Sequence, residues 1–402
     1  MKHIIERKSY MKALRALRDK HIIKVITGVR RSGKSTLLAS FREELVKKGV
    51  EAPQIQSYNF EDPLHAEKTW RELYAEITAK LDPTDMNYIF LDEIQNIAKF
   101  EKLVDGLFVN DKVDLYITGS NARMLSGDLA TFLSGRYVEI SILPFSFAEF
   151  VQTYNDRTDL LAKLNDYLFY GSLPQAVEFR HDAPDQVDRY LSGVYDTVLN
   201  KDILSRRNIK NEIAFGNVTR FVMDNIGSLM SPNNIANVLT GENKAVDREA
   251  VENYLSALAS SFVIYPAHRF DVRGRDLLRT GQKYYTVDTG LRRVLLNRHS
   301  EADLGRLLEN VVYLELRRRY SKVMIGKIDS QEIDFVAQST SGELAYYQVA
   351  WTANDPITFA REMAPLNQVR DNYPKFLITA DSFESDNEGV RRLPVTSFLL
   401  ES

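Results

Sequence analysis

The sequence contains no cysteine, which excludes disulfide bonds, cysteine zinc sites and thiol catalysis. Its six histidines are dispersed along the chain, and no two of them have the spacing of metal ligands. No apolar run approaches the roughly 18–20 residues that span a bilayer, and the start of the chain is too charged for the core of a signal peptide. These absences predict a cytoplasmic protein without a membrane segment.

The chain also lacks an overall excess of basic residues. It has 52 Lys and Arg against 55 Asp and Glu, which gives a net charge of −3. Nucleic acid could therefore be bound only by a local basic patch. The length of 402 residues and the 44% hydrophobic content are typical of a folded protein with two or three domains, at about 150 residues per domain.

The first part of the sequence, residues 1–145, alternates short apolar strands with amphipathic helices. Continuous apolar runs at Ile22–Ile26, Tyr88–Leu91 and Leu115–Thr118 are typical of strands that are buried on both faces. The pattern predicts an α/β domain in which helices cover both faces of a parallel sheet. Residues 146–215 read as helical.

Residues 216–300 follow the order helix, turn, helix and strand pair, which is the order of a winged helix. A first helix begins at Ser231-Pro232, and strands are predicted at Phe262–Pro266 and Lys283–Val287. The segment Ile264–Arg298 carries eight basic residues against three acids, a local balance of 8 − 3 = +5. Such a segment either grips a DNA backbone or packs against the rest of the chain or a protein partner.

The strongest motif is Gly28-Val-Arg-Arg-Ser-Gly-Lys-Ser35, which follows a predicted strand and opens a helix. Glycines at both ends let the backbone N–H groups turn toward phosphate oxygens at a helix N-terminus. Lys34 is suited to the β- and γ-phosphates, and the Ser35 hydroxyl is a hard oxygen ligand for Mg²⁺. The expected nucleotide-binding residues are Gly28, Arg30, Arg31, Ser32, Gly33, Lys34, Ser35 and Thr36.

A second polar group follows the strand Tyr88–Leu91. Asp92 lies where the carboxyl edge of the sheet is expected and would hold Mg²⁺ through water, and Glu93 would orient or deprotonate an attacking water. The pair favours hydrolysis over phosphoryl transfer to a metabolite. After the next strand, Ser120 or Asn121 could hydrogen-bond the γ-phosphate or the water, although Thr-Gly-Ser-Asn is also ordinary turn chemistry.

Arg136, in Leu133-Ser-Gly-Arg136, is a third candidate for catalysis. Its charge could stabilise the transition state at the γ-phosphate, either in its own subunit or across an interface of an oligomer. A plain surface arginine explains the residue equally well.

Taken in order, these motifs resemble the AAA-plus-type ATPases of bacteria and archaea that carry a C-terminal domain of unknown function. Asn59–Asp62 and Tyr170–Pro174 also resemble that family, and the similarity covers nearly the whole chain. The resemblance implies a RecA-like P-loop sheet (1–145), a helical lid (146–215), a winged helix (216–300) and a restriction-endonuclease-like α/β domain (301–402).

The C-terminal region departs from the site that the resemblance implies. A restriction-type nuclease needs an acid on the helix, an Asp at a strand start, and an acid-x-Lys pair on the next strand. Glu309 and Asp334 fill the first two places, but Gln348 and Ala350 occupy the last two. An amide and a methyl group neither complete a metal shell nor activate water, so we expect no nuclease activity.

The sequence therefore predicts an Mg²⁺-dependent ATPase that acts as a conformational switch. The alternative is a nucleotide-loaded sensor or scaffold that holds DNA or a protein partner with little turnover. No base-reading N-K-x-D motif is present in the first domain, which favours ATP over GTP.

Overall fold

The computed structural model of the protein describes residues 5–125, 135–205, 209–297 and 303–401. The chain divides into two compact units. Unit 1 is Met1–Pro144 with Ser260–Phe262, and unit 2 is Phe145–Ala259 with Val263–Ser402.

Unit 1 is built on a five-stranded sheet in the order β2-β3-β4-β1-β5, in which every paired neighbour is parallel. The strands are β1 (Ile23–Thr27), β2 (Ile55–Asn59), β3 (Asn87–Asp92), β4 (Val113–Gly119) and β5 (Tyr137–Ser141). The helices are α1 (Lys8–Leu17), α2 (Lys34–Lys47), α3 (Pro63–Ala66), α4 (Trp70–Ala79) and α5 (Phe100–Phe108), with 3₁₀ turns at Ala52–Gln54, Ile94–Asn96 and Ala122–Leu125.

Two apolar clusters cover the two faces of this sheet. Successive residues of β1 enter different clusters, because side chains alternate across a strand. Ile23 and Val25 pack in the cluster that contains the buried residues of α4 and α5. Ile26 packs in the cluster that contains those of α1 and α2. The parallel sheet with helices on both faces is thus confirmed.

Unit 2 begins with helices: α6 (Phe147–Val151), α7 (Leu160–Tyr170), α8 (Pro174–Asp182), α9 (Val187–Thr197), α10 (Glu212–Asp224), α11 (Pro232–Gly241) and α12 (Arg248–Ser260). A 3₁₀ turn occupies Pro184–Gln186, and a π-helix Val198–Leu204. The remaining elements are β6 (Ile264–Asp271), β7 (Asp276–Thr286), α13 (Thr289–Leu296), α14 (Leu304–Arg319), β8 (Lys322–Ile328), β9 (Gln331–Gln338), β10 (Leu344–Ala350), α15 (Pro356–Gln368), β11 (Lys375–Thr379), β12 (Ser385–Asn387), β13 (Val390–Pro394) and α16 (Val395–Leu400).

The strands of unit 2 form one mixed sheet in the order β12-β13-β11-β10-β9-β8-β6-β7. The two strands of the predicted winged helix, β6 and β7, thus belong to the same sheet as the C-terminal strands. Arg269–Asp271 of β6 pairs in parallel with Ile325–Lys327 of β8. The predicted boundary at residue 300 does not separate two units, because backbone pairing joins the strands on either side of it.

A buried carboxylate also joins the predicted lid region to the winged-helix region. Asp288 caps the start of α13 by accepting from Leu291 N at 2.8 Å, and it accepts from Ser172 N at 2.6 Å. A Cβ on Gly171 would lie 2.3 Å from Asp288 Oδ1, so only glycine fits there. Burial raises the pKa of Asp288 although the Ser172 and Leu291 hydrogen bonds lower it. The Tyr170–Pro174 motif therefore has a structural role in unit 2.

None of the helices in the described part of the chain combines the length and the hydropathy of a membrane-spanning segment.

Candidate functional site

The loop between β1 and α2 has a backbone that only glycine can adopt at its two ends. Gly28 has φ +147°, and a Cβ there would lie 2.2 Å from the carbonyl oxygen of Ile142. Gly33 has φ +97° and directly precedes α2. Both glycines of the motif are thus required by backbone geometry, and the loop closes tightly over the N-terminus of α2.

Lys34, the first residue of α2, is buried at the centre of this loop. Its ammonium group donates to the carbonyl oxygens of Gly28 at 3.0 Å and Val29 at 3.2 Å. The same nitrogen lies 3.4 Å from Oε1 of Glu93. The loop after β1 and the acid after β3 therefore meet at the carboxyl edge of the sheet, as the sequence predicts.

One hydroxyl group on β4 positions both acids that follow β3. Thr118 Oγ1 donates to Asp92 Oδ1 and accepts from Glu93 N at 2.8 Å. Glu93 has φ +54°, a left-handed conformation that is unusual for a residue with a Cβ. The neighbouring strand thus fixes the turn that separates the two carboxylates.

The Glu93 carboxylate is buried but surrounded by donors. Ser120 Oγ donates to its Oε2 at 3.0 Å, and Gln95 Nε2 donates to the same oxygen. Burial raises the pKa of Glu93, but the charge of Lys34, the Gln95 hydrogen bond, the charge of Arg30 and the Ser120 hydrogen bond lower it more. The net pKa lies below the ordinary value, so Glu93 is ionised at neutral pH.

The other residues of the predicted nucleotide-binding set differ in exposure. Arg30 is buried and forms an ion pair with Glu61. Arg31 is exposed, as are Ser35 and Thr36 in the first turn of α2. The exposed hydroxyl of Ser35 and the Asp92 carboxylate offer the hard oxygen donors that suit Mg²⁺.

Two further small polar residues of the predicted site are buried. Asn121 follows Ser120 directly after β4 and is buried with it. The Ser32 hydroxyl is buried beside Gly28 and has no hydrogen-bond partner among the described residues.

Arg136 lies at the amino ends of the strands, opposite the carboxyl edge at which the loop lies. Its carbonyl oxygen accepts from Ile23 N at 2.8 Å, at the start of β1, whereas the loop follows the end of β1. Five strand residues at about 3.3 Å each separate the two places by roughly 15 Å. The side chain is half exposed and pairs with Asp105 at 2.9 Å. This position argues against a catalytic role within the same subunit, and the catalytic role of Arg136, including one across an interface, stays a prediction.

Sequence reasoning missed Arg7, which lies far from every motif. Its buried guanidinium donates to the carbonyl oxygens of Ser32 at 3.0 Å, Leu143 at 2.8 Å and Pro144 at 3.3 Å. The C=O and N–H of a trans peptide point in opposite directions, so holding the Ser32 carbonyl also fixes the direction of the Gly33 N–H. Arg7 is thus a positioning residue for the loop.

Thr118 and Gln95 were also missed as site residues, although a signal was available for both. Thr118 is the first residue of the Thr-Gly-Ser-Asn motif, and Gln95 lies two residues after Glu93. Arg7 carries no comparable signal.

Most of the basic residues counted in Ile264–Arg298 are offset by acids in the part of the chain that the structure describes. Lys283, Arg292 and Arg293 are buried, and Arg298 lies outside the described residues. Five basic side chains have acidic partners: Lys283 contacts Glu309, Glu332 and Asp334, Arg292 contacts Asp303, Arg293 contacts Asp188, Arg273 contacts Asp329, and Arg275 contacts Asp371. The local count of charges overlooked acids that the fold brings in from other segments.

The nuclease-like positions of unit 2 are partly brought together. Gln348 of β10 accepts from Asp334 N at 3.3 Å and donates to Glu362 Oε2 at 3.0 Å. Glu309 of α14 and Asp334 both lie near the ammonium group of Lys283. Ala350 ends β10.

Comparison with known proteins supports the reading of unit 1. The profile of the AAA domain matches residues 20–151. The profile of a domain of unknown function, DUF8612, matches residues 161–302. The Walker-type ATPase of Pyrococcus abyssi shares the fold with a TM-score of 0.52 at 15% identity, over 73% of this chain and 96% of that one.

Two relatives match over most of the chain. An uncharacterized protein of Methanocaldococcus jannaschii is 29% identical over 350 residues, which cover 83% of this chain and 75% of that protein. An uncharacterized protein of Haemophilus influenzae is 37% identical over 406 residues, which cover 100% of both chains. The chain therefore belongs to the family of the Haemophilus influenzae protein, and its residues 20–151 form an AAA domain of the P-loop ATPase type.

Proposed function

We propose that the protein binds ATP with Mg²⁺ in the cytoplasm and hydrolyses it, and that turnover drives a conformational change between the AAA domain and the rest of the chain. The observation that carries this proposal is the meeting of Lys34 and the ionised Glu93 at 3.4 Å, at the carboxyl edge of the sheet. This contact supports the proposal because a cation suited to phosphates lies beside a carboxylate suited to act as a general base.

In this proposal each group of the loop has a defined task. The N–H groups of the loop and the Lys34 ammonium bind the phosphates, and Arg7 keeps the loop in its binding conformation. Ser35 and Asp92 would hold Mg²⁺, which when bound neutralises charge on the β- and γ-phosphates.

Glu93 orients the attacking water and accepts its proton. Ser120 and Gln95 hold one carboxylate oxygen, Oε2, and Lys34 faces the other oxygen. Because Glu93 is already ionised, it is ready to act as a base without first losing a proton.

The decisive experiment compares ATP hydrolysis by the wild type and Glu93→Gln. The amide keeps the size of the side chain but is no base, so we expect turnover to fall by about 10²–10⁴-fold while ATP still binds. Glu101→Gln makes the same chemical change on α5 and should retain wild-type turnover. Equal hydrolysis by Glu93→Gln and wild type would contradict the assignment of the base.

A second function, a nucleotide-loaded sensor with little turnover, is favoured by the same contact. The lowered pKa of Glu93 makes it a weak base, which slows proton abstraction. The two functions separate in a multiple-turnover assay with and without DNA. Sustained release of phosphate supports the ATPase, and a single turnover with tight retention of nucleotide supports the sensor.

The assignments of residues 146–215 as a lid and 216–300 as a winged helix belong to the same proposal. We infer that the winged-helix region contacts a protein partner rather than DNA, because five of the eight basic side chains counted in Ile264–Arg298 lie against acids. Glu93→Gln protein loaded with ATP is the form to use for capture of that partner, since the nucleotide state is then fixed.

A further inference from the structure

Unit 2 contains a buried lysine surrounded by acids. The carboxylate cluster consists of Glu309 on α14 and of Glu332 and Asp334 on β9. The Lys283 ammonium lies 3.1 Å from Glu309 Oε1, 2.7 Å from Glu332 Oε1 and 3.8 Å from Asp334 Oδ1. Only 5% of the Lys283 side chain is exposed. One cation thus faces three carboxylates that come from two different elements.

The oxygens of the cluster are further occupied by neutral donors. Tyr285 OH donates to Glu309 Oε1 at 2.6 Å, and Val349 N donates to Asp334 Oδ2 at 2.9 Å. Burial lowers the pKa of Lys283, but Glu309, Asp334 and Glu332 raise it more, so the amine stays protonated. The Lys283 ammonium therefore offsets part of the negative charge of the carboxylate cluster.

A restriction-type metal site does not fit these residues. The place of its third acid is taken by Gln348, whose amide bridges the Asp334 N–H and Glu362. With Lys283 in place, no group of three or more acids or histidines within the described residues is arranged so that it could hold a metal ion. The acids that such a site would offer to a metal are directed at Lys283.

We propose that the Lys283 ammonium occupies the place of a divalent cation among Glu309, Glu332 and Asp334, and that this built-in cation closes the site to metals. Burial and the charge of Glu309 raise the pKa of Asp334 well above its ordinary value although the charge of Lys283 lowers it, and without Lys283 the acids would lose this compensating charge. The lysine belongs to β7 and the acids to α14 and β9, so the same contact anchors the strand pair β6–β7 to the C-terminal elements.

The test is a thermal unfolding experiment without nucleotide, with and without Mn²⁺. We expect Mn²⁺ to leave the wild-type melting temperature unchanged. Lys283→Met keeps an unbranched side chain of nearly the same length and removes the charge. This variant should melt several degrees lower than the wild type, and Mn²⁺ should raise its melting temperature back to the wild-type value. Lys322→Met, the same change at an exposed position of β8, should behave like the wild type.

A double variant, Lys283→Met with Glu309→Gln, makes the result decisive. It should melt above Lys283→Met without metal and should lose the response to Mn²⁺. If Lys283→Met does not fold, recovery of folding in the double variant supports the proposal, and failure to recover contradicts it. A folded Lys283→Met protein that ignores Mn²⁺ also overturns the proposal. The proposal is also overturned if Mn²⁺ raises the melting temperature of the wild type and Glu309→Gln removes that rise.

Discussion

Both units place a buried lysine against a glutamate, yet the two pairs have different surroundings. In unit 1, Lys34 lies 3.4 Å from Glu93 and donates to backbone carbonyls of its own loop. In unit 2, Lys283 lies 3.1 Å from Glu309 and also faces Glu332 and Asp334. Under the proposed function, the first ammonium exchanges its carbonyl partners for phosphates, whereas the second keeps its three acidic partners. The number of acids around a lysine thus separates a binding group from a structural one.

The largest expected effect is that of Lys34→Ala. Removing the cation that the loop offers to the phosphates should weaken ATP binding by about 100-fold or more, with little change in melting temperature. Fluorescent-nucleotide titration measures the affinity, and Lys47→Ala at the far end of α2 is the matched control. Lys283→Met should do the opposite, lowering stability by about 3 kcal/mol with unchanged ATP affinity. If both variants lose ATP binding to the same extent, the distinction between the two lysines fails.

Arg7→Ala should have a smaller effect on the same affinity. Without the guanidinium, the Ser32 carbonyl and the Gly33 N–H lose their fixed direction, so we expect ATP to bind about tenfold more weakly. Turnover at saturating ATP should change less than affinity, because Glu93 is untouched. Arg7→Lys reaches fewer carbonyls, so its affinity should lie between those of the wild type and Arg7→Ala. Lys12→Ala, at an exposed position of α1, is the control. A drop in turnover at saturating ATP with unchanged affinity would refute the positioning role.

Arg136→Ala should not affect nucleotide affinity at all. The side chain is half exposed at the far edge of the sheet, so its ion pair with Asp105 contributes at most about 1 kcal/mol to stability. If subunits assemble and Arg136 acts across the interface, turnover falls and mixing with Lys34→Ala protein restores part of it. Loss of turnover in a protein that is monomeric under assay conditions would require a route within one chain that the fold does not offer.

The last prediction concerns DNA cleavage, for which we expect no signal. A site whose acids are bound to Lys283 collects no Mg²⁺ or Mn²⁺, and Ala350 activates no water. Supercoiled, linear and single-stranded DNA should stay intact with either metal, with or without ATP. Metal-dependent nicking that disappears in Asp334→Ala would move the protein into the nuclease class.

The sequence predicted those features that depend on contiguous residues. The glycine loop, the apolar strands and the acids after β3 each occupy a few neighbouring positions, so their roles could be read locally. The position of Arg136 could also have been predicted from the sequence, because a residue that directly precedes a parallel strand lies at the end opposite the carboxyl edge. The contacts of Arg7 and Lys283 were not accessible, since their partners are distant in the chain and no pattern marks them.

The pairing of β6 with β8 was not predicted, for a related reason. An alternating segment shows which face of a strand is buried, but it does not show which strand pairs with its edge. The order helix, turn, helix and strand pair is present in the structure, yet hydrogen bonds along that edge merge it with the C-terminal strands.

The position of β4 in the sheet of unit 1 sets a distance. Because β4 lies between β1 and β3, the phosphate loop and the acid pair are two interstrand spacings apart, about 10 Å. Adjacent strands would leave about 5 Å, which would press a carboxylate against phosphates bound at the loop. Under the proposed function, the wider spacing would leave room for a water molecule, and the side chain of Lys34 reaches across it to Glu93. Strand order is thus itself a determinant of which nucleophile the site can admit.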